Sequence, residues 1–219
     1  RHATNRQMSV QPKLRSPEAI EAESFRIIED ELGPHAFSPP QFNIVRRVIH
    51  ATADFEFAKT LSFHPDAIER GLAAIRAGCD LVVDVAMIQA GVSKPALASF
   101  GNGEVRSFIT DPDVVEEAKR EGITRAIVSM RKAARVAPNA IYAIGNAPTA
   151  LFEVLNQIEL GRMAPALMVG VPVGFVSAVE SKDALIASGY PHIAARGRKG
   201  GTPVAVAILN ALLNLAKSK

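Results

Sequence analysis

Cysteine is almost absent: Cys79 is the single one among 219 residues. One thiol closes no internal disulfide and builds no multi-cysteine zinc or iron–sulfur site, so a reducing compartment is expected. Tryptophan is missing altogether, and aromatic residues make up 5% of the sequence. Neither sign of charge dominates. The 25 Lys and Arg against 22 Asp and Glu leave a net charge of +3, too small an excess to argue for nucleic acid unless the basic residues cluster. Apolar runs such as LVVDVAMI fall far short of the ~20 residues a membrane helix needs. The leading RHATNRQMSV is charged and lacks an apolar stretch, so it does not read as a signal peptide. A soluble, cytoplasmic protein is expected. Familiar catalytic signatures are missing too: there is no GxxxxGK(S/T), no strand–GxGxxG–helix, no GxSxG and no HExxH. His2, His35, His50, His64 and His192 show no ligand-like spacing, and no protein-held metal is expected.

What is present suits a globular α/β protein. The hydrophobic fraction is 48% and the charged fraction 21%, which excludes wholesale disorder. Residues 16–219 read as a single domain, with 1–15 expected as an extension outside it, disordered or left over from cloning. Ser16 as N-cap, Pro17 in the first turn and Gly33 as stop predict a helix over 16–33. Two more helices are predicted over 40–51 and 64–78. The period then changes: CDLVVDV (79–85), EVRSFIT (104–110), AIYAIG (140–145), ALMVGVP (166–172) and PHIAAR (191–196) read as strands. Helices are predicted over 110–122, 124–136, 147–161, 177–189 and 202–217. Alternation of this kind implies βαβ units, a mostly parallel sheet and a three-layer α/β/α domain with helices added at the N-terminal side. The last helix, with AVAILNALLNLA, is apolar on more than one face, which predicts burial against both the sheet and a second copy.

Four segments bear chemistry. In RRVIHATADFEF (46–57), Arg46 and Arg47 stand four and three residues before His50, so both can neighbour it on a helix. That spacing by itself reads first as a solvated basic patch with a capping His, and functionally as a proton donor beside anion-binding guanidiniums. IGNAPTAL (144–151) makes a strand-to-helix turn whose backbone N–H groups can meet an anion or a carbonyl, or can be an ordinary βα turn. GVPVGFVSAVESK (170–182) offers a tight turn, followed by Glu180, Ser181 and Lys182 on what reads as a solvated helix face. ARGRKGGTP (195–203) puts Arg196, Arg198 and Lys199 before a Gly-Gly turn and a helix start, a combination that suits carboxylates or phosphates. Three of these turns follow strand carboxyl ends, where ligands bind in doubly wound sheets. The residues alone lead to a polyanionic small molecule and one candidate acid, His50.

SPEAIEAESFRIIEDELG, RRVIHATADFEF, AGCDLVVDVAMIQAGVSK, AIGNAPTAL, GVPVGFVSAVESKDAL and RGRKGGTPVAVAILNALL, in that order, resemble the precorrin-8X methylmutase family, which includes the cobalt-precorrin-8 methylmutases. The resemblance covers nearly all of 16–215. It implies a flavodoxin-like sandwich, a homodimer with its active site near the subunit interface, and an isomerase of cobalamin biosynthesis. The reaction moves a methyl group from C11 to C12 of a ring-contracted tetrapyrrole, giving hydrogenobyrinate, or cobyrinate when cobalt is already inserted, and takes no cofactor. The family's catalytic His falls on His50, as general acid for a sigmatropic shift assisted by protonation of the macrocycle. Its substrate-binding Ser and Arg fall on Ser24 and Arg47, and Ser93, Glu180, Arg196 and Arg198 lie in matching segments. Arg46 beside His50 would oppose protonation, so its direction matters. HATADFEF and DVAMIQAG look more like the members that act on the cobalt substrate. A carrier of the same fold that binds the tetrapyrrole without turnover is the alternative. A flavodoxin-like flavin or nucleotide protein is a further one, disfavoured by the missing phosphate fingerprint. No nucleic-acid or membrane partner is expected.

Overall fold

The computed structural model describes residues 16–218, so the extension expected over 1–15 lies outside the described residues. The described residues divide into two compact units, 16–35 and 36–218. In the first, α1 (Pro17–Leu32) starts where the Ser16 hydroxyl accepts the Ala19 N–H and stops at Gly33, whose φ of 67° suits glycine.

The second unit is a mixed six-stranded sheet between two helical layers. Its strands are β1 (Leu61–Phe63), β2 (Leu81–Val83), β3 (Val105–Arg106), β4 (Ile141–Ile144), β5 (Leu167–Gly170) and β6 (His192–Ala195), in the order β1-β6-β5-β4-β2-β3. β1 runs antiparallel to β6, and every other pairing is parallel. Numbered among themselves, the five parallel strands follow 2-1-3-4-5, the flavodoxin-like order. They are the five strands the apolar runs predict, although β3 keeps only two residues of its run. β1 was not legible: three residues beside a helix carry no period.

One layer holds α2 (Pro39–Thr52), α4 (Ala67–Arg76), α5 (Ala86–Gly91) and α11 (Thr202–Lys217), with α6 (Lys94–Ala98) against α11. The other holds α7 (Pro112–Glu121), α8 (Arg125–Val136), α9 (Pro148–Glu159) and α10 (Ala178–Ala187). Val82, Tyr142, Ile144, Met168 and Ala194 pack with Val128, Leu151, Val154 and Leu185 in the core beneath this second layer. Their neighbours along each strand face the first layer, because side chains alternate across a sheet. Burial on both faces is why β4, β5 and β6 read as unbroken apolar runs. The apolarity of α11 on more than one face has a cause within the chain: the sheet, α2, α4 and α5 bury most of its apolar residues.

Candidate functional site

The carboxyl ends of the parallel strands form the site's edge. β2 and β4 are neighbours there, and the chain leaves them in opposite directions, which makes this the sheet's switch point. Asp84 follows β2 directly and is fully buried. Its carboxylate accepts the N–H groups of Gly145, Asn146 and Ala147 at 3.0, 2.9 and 2.7 Å. Burial pushes the carboxyl above its ordinary range, and these three donors work against the shift. The turn, which could have met an external anion or been an ordinary βα turn, thus spends its N–H groups on the chain's own carboxylate. The signal was visible as an Asp inside the apolar run LVVDVAMI, but its partners lie 61–63 residues away.

Two further loops leave the edge beyond β5 and β6 and fit back to back. The Gly201 N–H donates to the Val171 carbonyl at 2.8 Å, and the Gly174 N–H to the Arg198 carbonyl at 3.1 Å. A Cβ at Gly200 would collide with the Val171 carbonyl oxygen, so only glycine allows this approach. Phe175 and Val176 stand 82% and 84% exposed at the tip of the first loop, just before Ser177, a non-glycine residue at φ 62°. Such a conformation costs about 1–3 kcal/mol and is often found where a loop serves a ligand. The Arg198 guanidinium lies 5.2 Å from the Phe175 ring centroid. The edge therefore sets an exposed apolar tip beside an arginine.

The end of α2 meets the same loops. Lys199 pairs with both Asp54 and Glu56 at 2.6 Å, and the Arg196 N–H donates to the Thr60 carbonyl at 2.8 Å. Lys199 holds the Asp54 carboxyl below its ordinary range, and the two carboxylates raise the Lys199 ammonium. His50 lies in the last turn of α2 and is exposed, with Arg47 one turn before it. Arg46 turns the other way along the helix: its guanidinium stands 5.7 Å from the Phe42 ring centroid.

Arg196 and Arg198 thus lie in the loop after β6, and the segment following α2, the helix of Arg47 and His50, is tied to that loop, with Glu180 exposed in the first turn of α10 after the 171–177 loop. Ser93 is elsewhere. It caps α6, its hydroxyl accepting the Ala96 N–H, and its backbone N–H donates to the Asn210 side chain midway along α11. Ser24 lies in the first unit, where its hydroxyl donates to the Ile20 carbonyl at 2.8 Å. The face expected to be solvated around Glu180 is not: Ser181 and Lys182 are fully buried. Lys182 donates to the Lys199 carbonyl at 3.0 Å, and burial pushes its ammonium down to about 8. A cavity of about 410 Å³ lined by Arg131, Arg135, Gln157 and Arg162 lies at the C-terminal ends of α8 and α9, away from this edge. Among the described residues, no group of three or more His, Cys, Asp or Glu side chains could hold a metal ion, and no helix is long and apolar enough to cross a membrane.

Comparison with known proteins gives one family. Residues 19–215 match the family described as precorrin-8X methylmutase. A cobalt-precorrin-8 methylmutase of Priestia megaterium is 52% identical over 94% of this chain and 92% of its own length. A protein of the same name from Salmonella typhimurium is 46% identical over 91% and 96%. A precorrin-8X methylmutase of a Sinorhizobium species is 37% identical over 91% and 95%. The crystal structure of a precorrin-8X methylmutase from Thermus thermophilus superposes with a TM-score of 0.85 at 45% identity, covering 91% of this chain and 96% of that one.

Proposed function

The chain belongs to the precorrin-8X methylmutase family, a family of isomerases, and from that premise we propose that it converts cobalt-precorrin-8 to cobyrinate by moving the methyl group on C11 to C12. The reaction is balanced within one molecule: the C11–methyl bond breaks, the C12–methyl bond forms, and no atom is gained or lost. The preference for the cobalt-bearing substrate is supported by the relatives. The curated relatives named cobalt-precorrin-8 methylmutase match at 41–52% identity and the two named precorrin-8X methylmutase at 37% and 36%, while the Thermus thermophilus structure of the latter name matches at 45%.

The observation that carries the reading is the strand-end edge. The Arg198 guanidinium stands 5.2 Å from the ring of Phe175, which forms an exposed apolar tip with Val176, and the neighbouring Lys199 is tied to Asp54 and Glu56, just beyond the helix that carries Arg47 and His50. A corrin-type macrocycle has an apolar face and a rim of carboxylate arms, and the edge offers a counterpart to each. Guanidiniums bind carboxylates through paired N–H donors, and the ring can lie over Phe175. His50 acts as the general acid. A positioned imidazole can hand a proton to a reacting group within hydrogen-bond reach. The donor turn at the switch point is filled by Asp84, which disfavours the flavin or nucleotide alternative.

Ser24, Ser93 and Glu180 complete the substrate contacts in this reading, Ser24 and Ser93 through a homodimer whose interface borders the site. Light scattering tests the dimer, and a monomeric mass at micromolar protein would remove it. Incubation with precorrin-8 and with cobalt-precorrin-8, followed by absorption spectra of the products, tests the reaction. Conversion of the cobalt compound is the expected result. Binding of the tetrapyrrole with no methyl-shifted product would favour the carrier.

A further inference from the structure

We propose that Lys182 is a positioning residue for the carboxylate-binding rim: from beneath, its ammonium holds the Lys199 carbonyl and thereby sets where Arg198 and Lys199 stand. The inference rests on the reading of 196–201 as the rim that receives substrate carboxylates.

The rim is a poor scaffold by itself. Gly197, Gly200 and Gly201 supply half of its six residues, and Gly197 and Gly201 lie at φ 82° and 113°. A chain of this composition has little local stiffness, so its shape has to be imposed by neighbours. Backbone bonds fix its two ends, from Arg196 to Thr60 and from Gly201 to Val171, and the Arg198 carbonyl accepts from Gly174. The Lys199 carbonyl, next along, is met by the amine of Lys182 at 3.0 Å.

The lysine is suited to this task by its surroundings. Its side chain is 0% exposed, so the ammonium does not reach the substrate and cannot swing out to water. Burial lowers its proton affinity to about 8, the mark of a cation removed from water. On the outer side, the Lys199 ammonium is tied to Asp54 and Glu56, beyond the end of the helix that carries His50. Lys199 is therefore held from both sides, its carbonyl by α10 and its ammonium by the segment after α2. Lys182 thus registers the rim against the element that carries the acid. Rim cations misplaced by about 1 Å lose much of their value to a rigid polyanion.

The test compares Lys182→Met, which keeps the bulk and removes the donor, with Lys182→Gln, which keeps an N–H donor. Each is made alone and together with Arg198→Ala. Affinity is read by titration with cobyrinate, and KM and kcat with cobalt-precorrin-8, at matched folded fraction. Lys182→Met should raise Kd and KM about ten-fold, the value of one lost hydrogen bond to a charged group, with kcat within about three-fold. Lys182→Gln should recover part of the loss. Adding Lys182→Met to Arg198→Ala should weaken binding little further, because both act through one loop. Additive losses in the double variant, or unchanged Kd in Lys182→Met, would overturn the proposal. Wild-type affinity in Arg198→Ala would instead overturn the rim reading beneath it. If Lys182→Met does not fold, the same cycle is run with Lys182→Gln, where additivity again refutes the role.

Discussion

Asp84→Asn asks whether one buried carboxylate holds the strand-to-helix turn at the switch point. Oδ1 accepts the Gly145 N–H at 3.0 Å, and Oδ2 accepts those of Asn146 and Ala147 at 2.9 and 2.7 Å. Asparagine has one oxygen to offer. Turned toward Asn146 and Ala147 it keeps two bonds and points its NH2 at the Gly145 N–H, donor against donor. The opposite orientation sacrifices two bonds and is worse. A hydrogen bond to a charged group is worth about 1.5–3 kcal/mol, so one is lost outright and two weaken to the neutral value of about 0.5–1.5 kcal/mol. Against this, burial raises the carboxyl above its ordinary range, so the ionised side chain carries a desolvation cost that asparagine escapes. The balance is a destabilisation of about 2–4 kcal/mol, which lowers Tm by roughly 5–12 °C in a chain of this size. Asp84→Ala leaves all three donors without this acceptor and should cost more. Urea and thermal unfolding measure the loss, and hydrogen exchange at Gly145, Asn146 and Ala147 locates it. An asparagine variant as stable as the wild type would refute the reasoning, because the desolvation cost would then cancel everything the three donors contribute.

His50→Asn and His50→Ala should bind cobyrinate with near-native affinity and lose roughly 10²–10⁴ in single-turnover conversion, the range for a positioned general acid. Near-native conversion by the asparagine variant would make His50 a helix-end residue only. Arg47→Ala should weaken product binding more than Arg47→Lys, because lysine keeps the charge and loses the paired donors. Equal titration curves for all three proteins would show that Arg47 does not touch the ligand. His192 is buried, its Nδ1–H donates to the Tyr190 carbonyl at 2.7 Å, and its Nε2 has no hydrogen-bond partner. Burial lowers its proton affinity, the Tyr190 carbonyl works the other way, and the nearby His64 and Arg196 charges add to the lowering. A folded value below the unfolded ~6.5 means that the stability is present above that pH and is lost as pH falls below it. Denaturation midpoints at pH 7.5 and 5.5 should therefore differ less in His192→Gln than in the wild type, and equal differences would refute the assignment.

Features that are local or repeated were legible in the chain alone. The apolar runs of β2, β4, β5 and β6 are legible because burial on both faces demands them. Helix limits at Ser16, Gly33 and Gly122 follow from caps and glycine stops. The basic stretch 196–199 and the Arg47–His50 spacing stood out in the sequence as candidates for anion binding and acid chemistry, and the ordered motifs led to the family. Short elements were not visible: β1 has three residues, α5 six and α6 five, too few to display a period. Nor were the fates of single polar residues. Asp84 could have been a ligand or a cap, and only the neighbouring strand β4 brings it three N–H donors. Lys182 sits in a helix that reads as solvated, and the loop folding back over α10 makes it a buried anchor. α11 is apolar on more than one face, and only the packing shows that α2, α4 and α5 of its own chain bury it against the sheet. In each case the deciding partner is remote along the chain, and a hydrogen bond or an apolar contact acts over a few ångströms of space, however many residues separate its ends.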